Sequence, residues 1–414
     1  MQYVAGLQCV FCGRKYRAET ADTCPRCGPG GILDVLFDYP SIAHTLTRRT
    51  LARRCELSHW RYRELLPVRA DSALPALSVG WTPLTPAPRL GRHIGIPALL
   101  LKDDGRNATG SMKDRASAVG AVKAKERRRK VIACASTGNA ASSCAGMAAS
   151  LGLRSVIFVP ERAPEPKVTQ LLIFGATVLR VHGSYEDAFQ LSQEACRRWG
   201  WYNRNCAVNP YLVDGKKTVG LEIGEQLEWQ PPDWVAVSVG DGCTVAGVWK
   251  AFREMKTIGL TTRTPRILGV QAEGAAPVTA AFRNKQPLQP VDPHTIADSI
   301  AVGVPRNWKK AVLAVEEADG AMINVSDDEI LDAMRYTGRL TGVFAEPAAA
   351  AAVAGLRRAA AEGLISRKAS AVAIITGNGL KDVQSAREAA GQPFDIAPSG
   401  NGLDEILVRQ GLLP

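Results

Sequence analysis

No apolar run in this chain reaches the ~18 residues that a helix needs to cross a bilayer. The longest candidate, residues 345–356, is alanine-rich and interrupted by Glu346 and Pro347, so no membrane partner is expected. The first residues, Met1 to Gly6, show no basic leader followed by an apolar segment. No secretory signal is therefore expected, and the cytoplasm is the expected compartment. Histidine is scarce. The five, at positions 44, 59, 93, 182 and 294, have no mutual spacing that suggests a metal site or a hydrolytic triad, and each is expected at the surface or in a cap. The net charge of +11 is not accompanied by any stripe of basic residues interleaved with aromatics. Its densest cluster, residues 123–130, reads as the exposed cationic end of a helix. No nucleic-acid partner is expected; an attraction for anionic metabolites follows more naturally.

What is present is an ordinary globular composition of 414 residues, 46% hydrophobic and 22% charged, with room for two or three domains of ~150 residues. Of ten cysteines, four form two knuckles, Cys9-Val-Phe-Cys12 and Cys24-Pro-Arg-Cys27. Such a set can place four thiolates tetrahedrally around zinc, with Gly13 and Gly28 relieving the turns. Four protein ligands leave no open position, so a structural Zn2+ is expected, with a disulfide pair as the alternative. Cys134, Cys144 and Cys196 read as small core residues, and the whole set suits a reducing compartment.

A zinc ribbon is expected over residues 1–40, then a polar, arginine-rich segment to about residue 71 and a proline-braced entry, Gly80-Trp-Thr-Pro-Leu-Thr-Pro-Ala-Pro88. Beyond it, strand patterns at 98–102, 131–135, 155–159, 177–181, 234–239, 266–271 and 371–375 alternate with helical patterns. The helices are expected at 115–127, 139–151, 167–174 and 185–199, from the 240s to 255, and at 347–361. This alternation predicts an α/β fold with parallel sheets covered on both faces.

In open α/β sheets, ligands sit off the carboxyl ends of strands. Four turns there are unusually small or polar. Asn107 to Lys113 presents Lys113 at the start of a helix, where a lysine amine can form a Schiff base with the aldehyde of pyridoxal phosphate. Ser136-Thr-Gly-Asn139 opens a helix whose N–H groups suit a carboxylate, and Asn139 can donate to an oxygen on a cofactor ring. A plain helix cap is the alternative there. Gly240-Asp-Gly-Cys-Thr244 can cradle a phosphate with its N–H groups. Thr376-Gly-Asn-Gly379 offers a neutral hydroxyl to a pyridine nitrogen, which favours elimination and replacement over transamination. Gly240 and Gly242, with Glu273 ending the next strand, also sketch a nicotinamide site. The third glycine of that motif is replaced by Val245, and Lys113 is left without a role. A non-enzymatic regulator built on the ribbon is the remaining alternative.

With Thr82-Pro-Leu84 and Thr109-Gly-Ser-Met-Lys-Asp-Arg115, these turns resemble those of the fold-type II pyridoxal enzymes, the tryptophan synthase β family, and look most like threonine synthases. The resemblance covers residues 75–385, and a ribbon-like N-terminus is found in some threonine-synthase-like and cysteate-synthase-like members. It implies two doubly wound domains with an active-site cleft between them. The large pyridoxal-phosphate-binding domain would comprise residues 45–125 and 220–414, and the small α/β domain residues 126–219. It also implies a homodimer. Lys113 would hold the cofactor and shuttle protons, and Asn139 would contact its 3′ oxygen. Gly240, Asp241, Gly242, Cys243 and Thr244 would bind its phosphate, with Asp241 bringing a negative charge close to it. Thr376 would meet its ring nitrogen. Ser136, Thr137 and Gly138 would receive the substrate carboxylate. The implied reaction is a lyase-type elimination of phosphate from O-phosphohomoserine with addition of water, giving L-threonine. Replacement at the β carbon of O-phosphoserine or another activated amino acid is the alternative. Threonine synthases often carry an arginine where Leu212 stands and polar residues where Cys206 and Ala207 stand. Arg204, Lys216 and Lys217 are the cations that can substitute, with Lys216 taken as the substrate-binding one; a solvated helix start is the alternative for the two lysines.

Overall fold

The computed structural model describes residues 1–413 other than 162, 164 and 207. The first forty residues form a small antiparallel sheet of β1 (Val4–Cys9), β2 (Lys15–Tyr16) and β3 (Leu33–Phe37), in the order β2-β1-β3. The remaining strands, numbered along the chain, are β4 (Leu84–Pro86), β5 (Ala98–Asp103), β6 (Val131–Ala135), β7 (Arg154–Pro160), β8 (Thr177–Val181), β9 (Tyr202–Asn203), β10 (Trp234–Ser238), β11 (Arg266–Ala272), β12 (Ala321–Val325) and β13 (Ser370–Ile375). They make a six-stranded sheet, β12-β11-β10-β13-β5-β4, and a four-stranded one, β8-β7-β6-β9. Every pairing in these two sheets is parallel except β4 with β5, an antiparallel edge.

The central strands are apolar along their whole length because helices cover both faces. β6 and β10 are buried at every position. The alanine-rich helix Pro347–Ala361 lies so close to the large sheet that any side chain at Gly355 would collide with Val270. Alanine is what such an approach requires. Helix Tyr185–Trp199 begins at a reciprocal cap between Ser184 and Asp187 and ends at Gly200 in the left-handed region. No described helix is long and apolar enough to cross a membrane.

The arginine-rich segment folds into short helices, Tyr39–Thr45 and Arg48–Ala52, and a mostly buried 3-10 stretch, His59–Leu65. There Arg61 is buried and paired with Glu225 at 2.6 Å. His59 is neither at the surface nor capping. It is fully buried, with both ring nitrogens unpartnered among the described residues, and burial pushes its pKa down to about 3. The cationic helix end is exposed at Lys125, Arg128, Arg129 and Lys130, as expected, but Lys123 is buried between Glu19 and Glu126, each at 2.6 Å, and Arg127 is half-buried and meets Asp22 at 3.1 Å. Glu19 and Asp22 belong to the cysteine-bearing segment, so docking of that segment accounts for the burial.

Candidate active site

Three of the four turns singled out above follow adjacent parallel strands. β10, β13 and β5 are neighbours in the large sheet and run into Gly240–Thr244, Thr376–Gly379 and the lysine loop respectively. The fourth turn ends β6 in the other sheet. Asn139 nevertheless reaches the large sheet's side, donating to Ser299 Oγ at 3.3 Å and to the carboxylate of Glu346. The four turns therefore converge.

Lys113 opens helix Lys113–Glu126 and is partly exposed. The loop before it is stitched to the turn after β13. Met112 N–H donates to the Thr376 carbonyl at 2.9 Å, Asn378 N–H donates to the Gly110 carbonyl at 3.0 Å, and Ser111 bridges Gly377. Asp114 accepts from Thr109 N–H at 2.7 Å and from its hydroxyl at 2.5 Å, which fixes the loop from the helix side. Burial, then the charge of Lys216, pushes the Lys113 amine down to about 8. The Thr376 hydroxyl has no hydrogen-bond partner among the described residues and is free to accept or donate.

Gly242 caps the 15-residue helix Cys243–Thr257 at φ +93°, and a Cβ there would lie 2.8 Å from the Asn307 carbonyl. A Cβ on Gly240 would lie 3.0 Å from Ile300 Cα. Both glycines are thus required by the 299–307 segment that packs on the loop. The first N–H groups of the helix have no intrahelical acceptors and are available to an anion. The carboxylate of Asp241 is met by three donors: Arg306 N–H at 2.7 Å, Asn307 Nδ2 at 3.0 Å and Cys243 Sγ at 3.1 Å. These neutral donors solvate the carboxylate and hold its negative charge beside the loop.

Lys216, on helix Leu212–Gln226, is buried, which overturns its reading as part of a solvated helix start. Burial opposes its charge, yet Cys206, Cys243 and Asp241 hold its pKa above the ordinary lysine value. Arg204 is buried beside it, bonded through Nε to Ser117 Oγ at 2.9 Å and through Nη1 to Cys206 Sγ at 3.5 Å. Its Nη2 is buried with no partner among the described residues. Lys217 is buried too, but spent: it pairs with Asp214 at 2.8 Å and Glu254 at 2.7 Å. Leu212 is fully buried against Gly120. Ala207 lies outside the described residues.

Ser136, Thr137 and Gly138 form the turn before helix Asn139–Ser150, with Ser136 Oγ accepting Gly138 N–H at 3.2 Å. A cleft opens on Thr137, Gly138, Asn139, Glu346, Lys167 and Lys381. Lys381 donates to Ser142 Oγ at 3.1 Å and Gln170 Oε1 at 2.9 Å, while Lys167 pairs with Asp298 at 2.5 Å. Three of these were not singled out from the sequence. Lys381 follows the Thr376–Gly379 turn by two residues, and Glu346 was visible as an acid interrupting an apolar run. Lys167 gave no signal.

The four knuckle cysteines lie together, their sulfurs all within 4.8 Å of one another. Cys9 and Cys27 are 3.8 Å apart, as are Cys12 and Cys24. A tetrahedron of ~2.3 Å metal–sulfur bonds has edges of about 3.8 Å, so the donor set fits a tetrahedral ion. Gly13 and Gly28, at φ +70° and +72°, make the knuckle turns.

The family model described as pyridoxal-phosphate dependent enzyme matches residues 76–377. The chain is 37% identical to a threonine synthase of Methanocaldococcus jannaschii over 97% of its own length and 98% of the relative's. It is 39% identical to a threonine synthase of Methanosarcina acetivorans, with the same coverage. Among solved structures it is similar to a processed threonine deaminase isoform 2 from Solanum lycopersicum, with TM-score 0.65 and 23% identity over 75% of this chain and 87% of that one. It is also similar to a serine racemase of maize, with TM-score 0.63 and 21% identity over 80% and 93% of the two chains. These structures share the fold-type II architecture expected from the sequence.

Proposed function

The chain belongs to the pyridoxal-phosphate dependent enzymes, and from that premise we propose that it acts as a threonine synthase, releasing phosphate from O-phosphohomoserine and adding water. What carries this proposal is similarity to threonine synthases along nearly the whole chain, joined to the convergence of four small turns around one lysine at a helix start. The residues fit the cofactor. Lys113 offers a partly neutral amine, the N–H groups of Gly240 to Thr244 offer a phosphate seat, Thr376 offers a free hydroxyl to the ring nitrogen, and Asn139 offers an amide to the ring oxygen.

When bound, pyridoxal phosphate supplies an electron sink for negative charge developing at the substrate's α carbon. The chain's own groups do the rest. The turn Ser136 to Gly138 receives the α-carboxylate at a helix start, through the Thr137 N–H and the helix dipole, with Lys167 and Lys381 adding positive charge nearby. Lys113 would hold the cofactor and would carry protons between the substrate's carbons, a task suited to an amine with a pKa of about 8. Lys216 and Arg204 are the buried cations that receive the substrate phosphate in place of the arginine that Leu212 does not provide. The Cys9, Cys12, Cys24 and Cys27 set holds a structural Zn2+. The working form is a cytoplasmic homodimer.

The test is to incubate purified protein and pyridoxal phosphate with O-phosphohomoserine and, separately, with O-phosphoserine, identifying products and measuring phosphate. Threonine with equimolar phosphate from the first substrate supports the proposal. Turnover of O-phosphoserine alone moves the assignment to β-replacement, and a protein that gains no visible absorbance with the cofactor ends it.

A further inference from the structure

Resting on the function proposed above, we propose that Glu346 is a positioning residue of this site: it orients the Asn139 amide and supplies the negative charge that faces Lys113. Glu346 stands immediately before the alanine-rich helix and is 4% exposed. Both of its carboxylate oxygens accept from Asn139 Nδ2 at 2.9 Å. An amide nitrogen held by a carboxylate cannot exchange places with its own oxygen without setting two acceptors against each other. The contact therefore dictates which atom of Asn139 faces Glu346, and it leaves the second N–H, which meets Ser299 Oγ at 3.3 Å, as the one a ring oxygen would take over.

The backbone is arranged to the same end. Glu346 N–H donates to the Gly377 carbonyl at 3.0 Å and Ala345 bridges Asn378, while Ser111 bridges Gly377 from the lysine-loop side. The turn after β13 is clamped between the lysine loop and Glu346, and any side chain at 377 would strike the carboxylate.

A neutral side chain could have made the amide contact without the cost of burying an acid. The charge has a use in this neighbourhood. Glu346 is faced by Asn139 and by Lys113, Lys381 and Lys167, which come from three separate elements. Lys113 is faced by Lys216 and Arg204, which disfavour its protonation, and by Glu346 and Cys206, which favour it. Burial pushes the Glu346 carboxyl up, and Asn139 and the three lysines pull it back. Without Glu346, the anchoring amine would sit among cations with only a thiol to offset them.

The test uses the full chain as wild type, E346Q and E346D, with two readouts. One is the pH midpoint for acetylation of Lys113 by acetic anhydride, read by mass spectrometry without added cofactor. The other is the affinity for pyridoxal phosphate, read from its visible absorbance. E346Q should lower the midpoint by roughly one pH unit and weaken cofactor binding about tenfold. E346D keeps the charge but shortens the arm, so its midpoint should stay near wild type while binding weakens. An unchanged Lys113 midpoint in E346Q overturns the proposal. Should E346Q not fold, unaltered cofactor binding in E346D overturns it as well. A wild-type chain that binds no cofactor defeats the proposed function, and the acetylation midpoints still decide the role of Glu346.

Discussion

Met112 N–H donates to the Thr376 carbonyl at 2.9 Å, so the residue before the candidate anchoring lysine is tied to the turn that carries the candidate ring partner. Both turns end neighbouring strands, β5 and β13, that pair in register from Ala98–Ser370 to Asp103–Ile375. Lys113 and Thr376 thus ride on one rigid frame. The turn at Ser136 to Asn139 belongs to the other sheet and is joined to this frame by side chains, through Asn139 to Glu346 and Lys381 to Ser142. Any closing motion on substrate is expected to alter those contacts and leave the Lys113–Thr376 frame intact.

A lysine pushed down to about 8 by burial and by Lys216 is half neutral at a pH where a free lysine, at ~10.4, is almost wholly charged. Only the neutral amine attacks an aldehyde. Capture of pyridoxal phosphate, followed by stopped-flow absorbance, should therefore accelerate with pH and level off a little above 8. A rate that climbs steadily to pH 10 means that Lys113 is solvated.

The most heavily buried charges lie behind the lysine helix. Glu222 is paired with Arg115 and, at 2.7 Å, with Lys102, while Arg115 also grips Asp104 at 2.7 Å, and the side chains in these pairs are fully buried. Glu222→Gln leaves two cations short of a partner, at a cost of about 3–5 kcal/mol in urea denaturation. Glu194→Gln, which breaks an exposed pair with Arg197, should cost less than ~0.5 kcal/mol. Burial opposes ionisation of Glu222, but Arg115 and Lys102 hold its carboxyl far below the ordinary range. Its contribution is fully present above the unfolded value of ~4.3 and is lost as pH falls through the folded one.

Strands that are buried on both faces announce themselves as unbroken apolar runs, which is why β6, β10, β11 and β13 were legible to within a residue or so. The turns after them were legible because glycine and small polar residues are needed wherever backbone approaches backbone, as at Gly242 against Asn307. Helix Leu212–Gln226 was not legible as a core element. Its buried face carries Lys216 together with Asp214, Lys217 and Glu222, and the last three are paired with Lys250, Glu254 and Lys102, far away in sequence. The same holds for Lys123, hidden under Glu19, and for Glu346, whose partner Asn139 lies 207 positions earlier. Pairing across the chain is what converts a charge that looks solvated into a buried one, and local pattern carries no trace of it.

The cysteine-bearing segment is fastened to the large sheet's helices by Asp34, which meets Lys250 and Lys310 at 3.2 Å each, and by the Phe11–Trp308 ring contact at 6.1 Å. If its four thiolates hold zinc, elemental analysis should find about one ion per chain, and a strong chelator or Cys24→Ser should remove it. Losing the ion should lower the melting temperature and alter the emission of Trp308, isolated by comparison with Trp308→Phe. A chain that retains its melting temperature and Trp308 signal after chelation has no structural ion.

Lys216 separates two assignments of the same charge. It sits near Cys243 and Asp241 of the glycine loop and is also the charge that most depresses Lys113. If it receives the substrate's phosphate, Lys216→Gln should raise KM for O-phosphohomoserine by about ten- to a hundredfold, the loss of one charge-assisted contact. The affinity for pyridoxal phosphate should then change by less than about threefold. Loss of cofactor affinity with KM little altered would place the lysine on the cofactor's phosphate instead. Either way the sign at Lys113 is set: removing a neighbouring cation favours protonation, so the pH at which cofactor capture levels off should move upward from about 8. A capture profile that does not move would mean that the two amines are insulated from each other, and the depressed value at Lys113 would have to come from burial alone.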